Sequence, residues 1–227
     1  MRVCCVAIST NRLILVCSSY VPKGIYTIMT NGAYIDSSPV ESDDSISLYV
    51  HIPFCKTKCG YCDFNTYQGI EVLMRPYLGA ICDEIKLWGK FLSHPKVNTV
   101  FFGGGTPSYL STSDLADIMA SICQSFELDP KVEISVEANP DDINHTKMEY
   151  LLGLGVNRLS IGMQSFDDTL LKMLGRRHTA ADAQKAFMLS RETGFQNINI
   201  GLMYCLPTQT FGQWQSTLDT AIDMSPE

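Results

Sequence analysis

Ser47-Leu48-Tyr49-Val50-His51-Ile52-Pro53-Phe54-Cys55-Lys56-Thr57-Lys58-Cys59-Gly60-Tyr61-Cys62 is the stretch from which the fold is read. Its first half alternates apolar with polar or aromatic residues, the period of a strand over Ser47–Ile52. Pro53 cannot continue a central ladder, and three cysteines follow at spacings of four and three. A thiol cluster therefore sits in the loop at that strand's C-terminal end. In α/β folds this end of the sheet carries the active site.

The same pattern repeats outward from this stretch. Further strands are expected at Thr99–Phe102, Val132–Glu137, Arg158–Met163 and Asn197–Met203. Helices are expected between them. One runs near Leu73–Leu92, with apolar residues at Leu73, Tyr77, Ile81, Ile85 and Trp88. One opens at Ser111 with Asp114 completing a capping box, and one at Thr179 with Asp182, stopped by Gly194. Another covers Phe211–Met224. Strands joined each time by a helix pair in parallel through right-handed crossovers. Five such units suit either an open doubly wound sheet or an α/β barrel lacking its end. Ser225-Pro226-Glu227 reads as a turn where the next strand is due, so the architecture is expected to be unfinished at its C-terminus.

Composition narrows the function classes. With 227 residues, 45% of them apolar, the chain can bury one large core or two small ones. No run of 18 apolar residues occurs, which excludes a spanning helix of ordinary length. A net charge of −7 argues against an electrostatic nucleic-acid binder. Nine cysteines, unevenly placed, do not read as a disulfide scaffold; a reducing compartment, the cytoplasm, fits better. Residues 1–28 hold Arg2, Arg12 and Lys23 but no acid, so the rest of the chain carries −10. Their composition gives little support for a targeting peptide, and translation starting at Met29 is the simpler expectation. Residues 30–46 read as a linker, which makes 1–46 an N-terminal extension and 47–227 the core domain.

Three thiolates can hold three irons of a cubane cluster and leave the fourth iron open. An electron-transfer ferredoxin uses four cysteines, and structural zinc also takes four closed ligands, for which no second Cys-x-x-Cys pair is present. Ligand count favours the open cluster, with zinc or inert buried thiols as the alternatives.

Cys-x-x-x-Cys-x-x-Cys with Tyr61 before its last cysteine resembles the signature of the radical S-adenosylmethionine (radical SAM) superfamily. The resemblance implies a parallel partial (β/α) barrel, here truncated at its C-terminus. It also implies a [4Fe-4S] cluster on Cys55, Cys59 and Cys62, whose open iron takes the amino and carboxylate groups of S-adenosylmethionine. Later segments match at successive strand ends. Phe101-Phe102-Gly103-Gly104-Gly105-Thr106-Pro107 offers backbone groups without Cβ interference. Glu137 offers an acceptor for ligand hydroxyls, Gln164 an amide, and Arg176 a partner for the methionine carboxylate. The resemblance thus assigns S-adenosylmethionine contacts to Tyr49, Tyr61, Gly104, Gly105, Thr106, Glu137, Gln164 and Arg176.

Finer spelling resembles the anaerobic coproporphyrinogen III oxidase family across 47–227: Tyr-Val-His-Ile-Pro-Phe-Cys, Phe-Gly-Gly-Gly-Thr-Pro-Ser, Glu-Ala-Asn-Pro and Gly-Met-Gln-Ser-Phe. The oxidase (dehydrogenase) branch, an enzyme of porphyrin biosynthesis, carries a further cysteine two residues after the third; here that position is Phe64. Cys62-Asp63-Phe64-Asn65 is similar to the HemW-like heme-chaperone branch, which implies heme as ligand and haemoproteins as acceptors. The oxidase, with a porphyrinogen substrate, is the alternative. One segment departs from the family. Its usual Asp-Leu-Met-Tyr-Gly-Leu-Pro-Gly-Gln reads here Gly201-Leu-Met-Tyr-Cys205-Leu-Pro-Thr208-Gln209, so a carboxylate and two glycines are replaced.

Overall fold

The structure is a computed structural model that describes residues 45–227 in full and, of the chain before them, the backbone of two strands. Those strands, β1 (Val3–Thr10) and β2 (Arg12–Ser18), pair antiparallel with each other, and β1 pairs antiparallel with β3 (Ile46–Ile52). From β3 onward the chain alternates: α1 (Met74–Phe91), β4 (Lys96–Gly104), α2 (Thr112–Ser125), β5 (Glu127–Ala138), α3 (His145–Gly153), β6 (Arg158–Gln164), α4 (Asp168–Met173), α5 (Ala180–Thr193), β7 (Asn197–Leu202) and α6 (Phe211–Met224). The two N-terminal strands were not anticipated from the sequence, nor were α3 and α4. The linker expected at 30–46 lies outside the described residues up to 44, and Ile46 already belongs to β3.

The sheet order is β2-β1-β3-β4-β5-β6-β7, and β3 to β7 are parallel. These five strands follow one another in chain order with no reversal. A doubly wound sheet needs a point where the order reverses, and none occurs here. Right-handed crossovers that always step the same way put every helix on one face, which is the arrangement of a barrel wall. The choice left open by the sequence is settled as a partial barrel.

Side-chain alternation shows the two faces. Leu48, Val50 and Ile52 of β3, Val100 and Phe102 of β4, Ile134 and Val136 of β5, and Leu159 and Ile161 of β6 are buried in one core with the helices. Ile81, Ile85 and Trp88 of α1, Leu115 and Ile118 of α2, and Phe187 of α5 face them. Parallel strands covered on both sides read as continuous apolar runs; here every second residue is polar, aromatic or glycine. Tyr49, His51, Gly103, Glu137, Ser160, Gly162, Asn199 and Gly201 occupy the other, inner face. That face leads up to the strand ends where the cysteines lie.

Helix ends follow the expected chemistry. Thr179 with Asp182 forms a complete capping box, whereas at Ser111 only half of the expected box forms: Ser111 accepts from the Asp114 N–H, and the Asp114 carboxylate takes the Ser111 hydroxyl in place of its N–H. Gly194 ends α5 at φ 122°, a backbone conformation that L side chains rarely adopt. A second capping box, Thr210 with Gln213, starts α6.

Candidate functional site

The cysteine loop is closed at its neck. Buried Phe54 bridges to Tyr67, the Cys55 N–H donates to the Tyr67 carbonyl at 2.9 Å, and the Tyr67 N–H donates to the Pro53 carbonyl at 2.8 Å. Inside the neck, the Cys62 N–H donates to the Cys59 carbonyl at 3.0 Å, turning the chain about Gly60-Tyr61. Lys58 is tied inward, its Nζ donating to the Thr66 carbonyl at 2.9 Å. Cys55 is buried and Cys59 and Cys62 are half-buried; none forms a disulfide.

Each sulfur has its own polar neighbour. Thr106 Oγ1 donates to Cys55 Sγ at 3.4 Å, Arg176 Nη1 donates to Cys59 Sγ at 3.5 Å, and Cys62 Sγ lies 3.6 Å from Thr66 Oγ1. Burial pushes the Cys55 thiol up; the Thr106 and Thr66 hydroxyls oppose this, and the sulfurs of Cys62 and Cys59 add to it. Among the described residues, no three His, Cys, Asp or Glu side chains converge as a single metal ion requires.

The glycine run closes β4 against this loop. Gly105 donates to the Ile52 carbonyl at 2.7 Å and Thr106 to the Phe54 carbonyl at 2.9 Å, so the run lies alongside the entry to the cysteines. A Cβ on Gly105 would sit 2.8 Å from both the Ile52 and Phe54 carbonyl oxygens. Gly104 has φ +115°, and a Cβ there would meet the His51 ring at 2.5 Å. Its N–H donates to Glu137 Oε2 at 2.9 Å. Burial raises the Glu137 pKa, and the Gly104 N–H partly offsets this. Tyr49, stacked on Phe101 and hydrogen-bonded to His51 at 3.2 Å, is pushed up to about 12 by burial and then by Glu137.

Gln164 approaches from the end of β6 and Arg176 from the end of α4. The Ser165 N–H donates to the Met163 carbonyl at 2.9 Å across Gln164, which is held at φ 68°. Such a conformation is costly for a non-glycine residue and concentrates at functional positions. Arg176 is delivered by the end of α4. Gly175 takes φ 72° and donates to the Lys172 carbonyl, while the Arg176 N–H donates to the Leu171 carbonyl, together a Schellman motif. The guanidinium then spans Gly162 and Cys59: Nη2 donates to the Gly162 carbonyl at 2.7 Å and Nη1 to Cys59 Sγ. Its Nε is buried with no hydrogen-bond partner among the described residues. Burial also pushes Tyr61, beside Cys59 and Arg176, up to about 12.

The eleven residues singled out by the sequence thus fall at one end of the sheet. Cys55, Cys59, Cys62, Tyr61, Thr106 and Arg176 form one connected group, and Tyr49, Gly104 and Glu137 another beside it. Gln164 joins through Gly162, where a Cβ would lie 2.8 Å from Gln164 Nε2 and 3.5 Å from Arg176 Nη2. Sequence reasoning missed Thr66 and His51. His51 had a signal, since it shares the inward register of Tyr49.

The Radical SAM superfamily profile matches residues 49–221, most of the chain. The chain belongs to the radical SAM superfamily. Membership implies a [4Fe-4S] cluster and S-adenosylmethionine. The chain is 40% identical to the heme chaperone HemW of Bacillus subtilis (strain 168) over 182 residues, 80% of this chain and 48% of that protein. It is 36% identical over 177 residues to the mitochondrial radical S-adenosyl methionine domain-containing protein 1 of Bos taurus, covering 78% of this chain and 40% of that protein. Among solved structures, coproporphyrinogen III oxidase (HemN) of Escherichia coli superposes with a TM-score of 0.74 at 31% identity, covering 78% of this chain and 41% of that one. The chain spans about half the length of the curated relatives it matches. No described helix is long and apolar enough to cross a membrane.

The segment that departs from the family carries backbone strain. Cys205 and Thr208, the positions at which the resemblance leads one to expect glycine, take φ 57° and 65°. A left-handed L residue costs about 1–2 kcal/mol, more for a β-branched one, while glycine loosens the unfolded chain by about 0.4–1 kcal/mol. Thr208→Gly is therefore expected to stabilise the protein by about 0.5–1 kcal/mol in urea unfolding under reducing conditions. An unchanged or lowered midpoint would show that the threonine makes up the cost elsewhere.

Proposed function

We propose that this chain is the cluster-bearing region of a HemW-like heme chaperone. In this reading Cys55, Cys59 and Cys62 hold three irons of the [4Fe-4S] cluster, and Tyr49, Tyr61, Gly104, Gly105, Thr106, Glu137, Gln164 and Arg176 surround S-adenosylmethionine. The observation that carries it is the thiol triad in one closed loop, with Arg176 reaching Cys59 and keeping a buried, unpartnered Nε. The donor set fits the group: three unbonded thiols supply soft ligands, each with a hydroxyl or guanidinium beside its sulfur. The orphaned Nε suits a carboxylate, which an arginine grips through more than one N–H.

Held by Cys55, Cys59 and Cys62, the cluster would supply one-electron reductive chemistry to the S-adenosylmethionine bound beside it. The protein's own part is positioning. Glu137 accepts hydroxyl hydrogens, the glycine run brings the backbone close, and Gln164 offers donor and acceptor over β6. The chaperone reading over the oxidase rests on Phe64, 71% exposed where the oxidase spelling has cysteine, and on the names of the curated relatives. The HemN superposition favours the second reading, a porphyrinogen-decarboxylating dehydrogenase. Heme is the proposed ligand, haemoproteins its acceptors and the cytoplasm its place.

Anaerobic reconstitution followed by two assays tests this. The expected result is iron with acid-labile sulfide, hemin binding by absorbance titration, and no consumption of coproporphyrinogen III. Zinc without sulfide would overturn the cluster assignment; porphyrinogen turnover without hemin binding would move the chain to the oxidase branch.

A further inference from the structure

Arg176 and His178 grip two successive carbonyls of β6. Arg176 Nη2 donates to the Gly162 carbonyl at 2.7 Å, and His178 Nε2 lies 3.2 Å from the Met163 carbonyl. The His178 side chain is fully buried. A carbonyl only accepts, so the ring proton is on Nε2. On the ring's other side, Nδ1 lies 3.3 Å from Asn139 Oδ1 at the end of β5 and 3.7 Å from Asp141 Oδ2; with the proton on Nε2, the Asn139 amide turns its N–H toward Nδ1. Asn139 is itself fixed, its N–H donating to Ser108 Oγ at 3.0 Å beyond the end of β4. Burial and the neighbouring Arg176 hold His178 below the usual histidine range.

The carbonyl that His178 holds is the one that closes the turn over Gln164. The Met163 carbonyl takes the Ser165 N–H at 2.9 Å as well as the imidazole, and Gln164 between them sits at φ 68°. Strain of this kind persists only where surrounding groups over-determine the backbone. The carbonyl one residue before it, that of Gly162, anchors the guanidinium. If the Met163 rung slackens, Gly162 shifts with it, and Arg176 loses its fixed path to Cys59.

Building on the function proposed above, we propose that His178 is a positioning residue for the S-adenosylmethionine site: by clamping the Met163 carbonyl it aims the Gln164 amide and sets the Arg176 guanidinium against Cys59. Its contacts are Met163, Asn139 and Asp141, none of them a cysteine, and it acts through the Gln164 and Arg176 side chains.

Two polar substitutions separate this from plain packing. His178→Gln carries its amide nitrogen to where Nε2 stands and can still donate to the Met163 carbonyl. His178→Asn places the nitrogen where Nδ1 stands and cannot reach it. Reconstituted wild type, His178→Gln and His178→Asn are compared by calorimetric S-adenosylmethionine titration and by the change that the ligand makes in the reduced cluster's EPR spectrum. The expected result is equal iron and sulfide in all three proteins. The glutamine variant stays within a factor of two of wild type, and the asparagine variant binds about threefold to tenfold more weakly, with a diminished spectral change. Equal affinities in the two variants, or loss of the cluster itself from the asparagine variant, overturns the assignment. A wild type whose spectrum ignores S-adenosylmethionine overturns the parent reading, and this one with it.

Discussion

Cys59→Ala is expected to reduce the iron and sulfide retained after anaerobic reconstitution from about four of each per chain to background. The same holds for Cys55→Ala and Cys62→Ala. Two thiolates cannot hold a cubane against solvent and chelators, and no further cysteine lies in the loop to replace the lost one. Cys82, Cys123 and Cys205 belong to other segments, so alanine at any of them should leave the metal content unchanged. Cys59 gives the cleanest measurement, since it is only half-buried and its removal opens no core cavity. Its loss also frees the Arg176 guanidinium from one of its contacts. Full iron and sulfide in the Cys59→Ala protein would remove the basis of the proposed site.

Much of this site was legible because its signals are local. A strand, a proline and three cysteines occupy adjacent positions, and glycine at 104 and 105 answers a steric demand: a Cβ at either would strike the loop or His51. Helix caps read equally well, since Ser111, Thr179 and Gly194 act on backbone groups within a few residues. What stayed hidden depends on distance along the chain or on shortness. His178 has meaning only beside Met163 and Asn139, residues from two other strand ends. The six residues of α4 are too few to show a helical period, yet that helix delivers Arg176. The β1–β2 pair lies outside the strand–helix alternation that made the rest readable, and it joins the sheet antiparallel. The choice between barrel and doubly wound sheet was open for a related reason: composition and period set each strand, but the direction of each crossover is a property of the assembled sheet.

Gly201→Asp is expected to raise S-adenosylmethionine affinity tenfold to a hundredfold. Gly201 pairs in register with Gly162, and a Cβ on it would rest 3.9 Å from the Gly162 Cα and the Ile161 carbonyl, ordinary contact with no clash. The side chain would therefore leave on the inner face, the same one that bears Glu137 and Gln164, and not among the helices. Glycine at 162 keeps the way open, because a side chain there would already fill the space beside Gln164 and Arg176. A carboxylate on this face adds one charge-assisted hydrogen bond to the ligand, worth about 1.5–3 kcal/mol, and each 1.4 kcal/mol is about a factor of ten. The competing fate is set by Arg176, whose Nη2 would lie 3.5 Å from a Cβ on neighbouring Gly162 and whose guanidinium would attract a new carboxylate. Calorimetric titration into both reconstituted proteins separates the two. If the carboxylate serves the ligand, affinity rises while the spectrum of the unliganded cluster is unchanged. If it captures the guanidinium, affinity stays level or falls, because the arginine that should grip the methionine carboxylate is then neutralised from within.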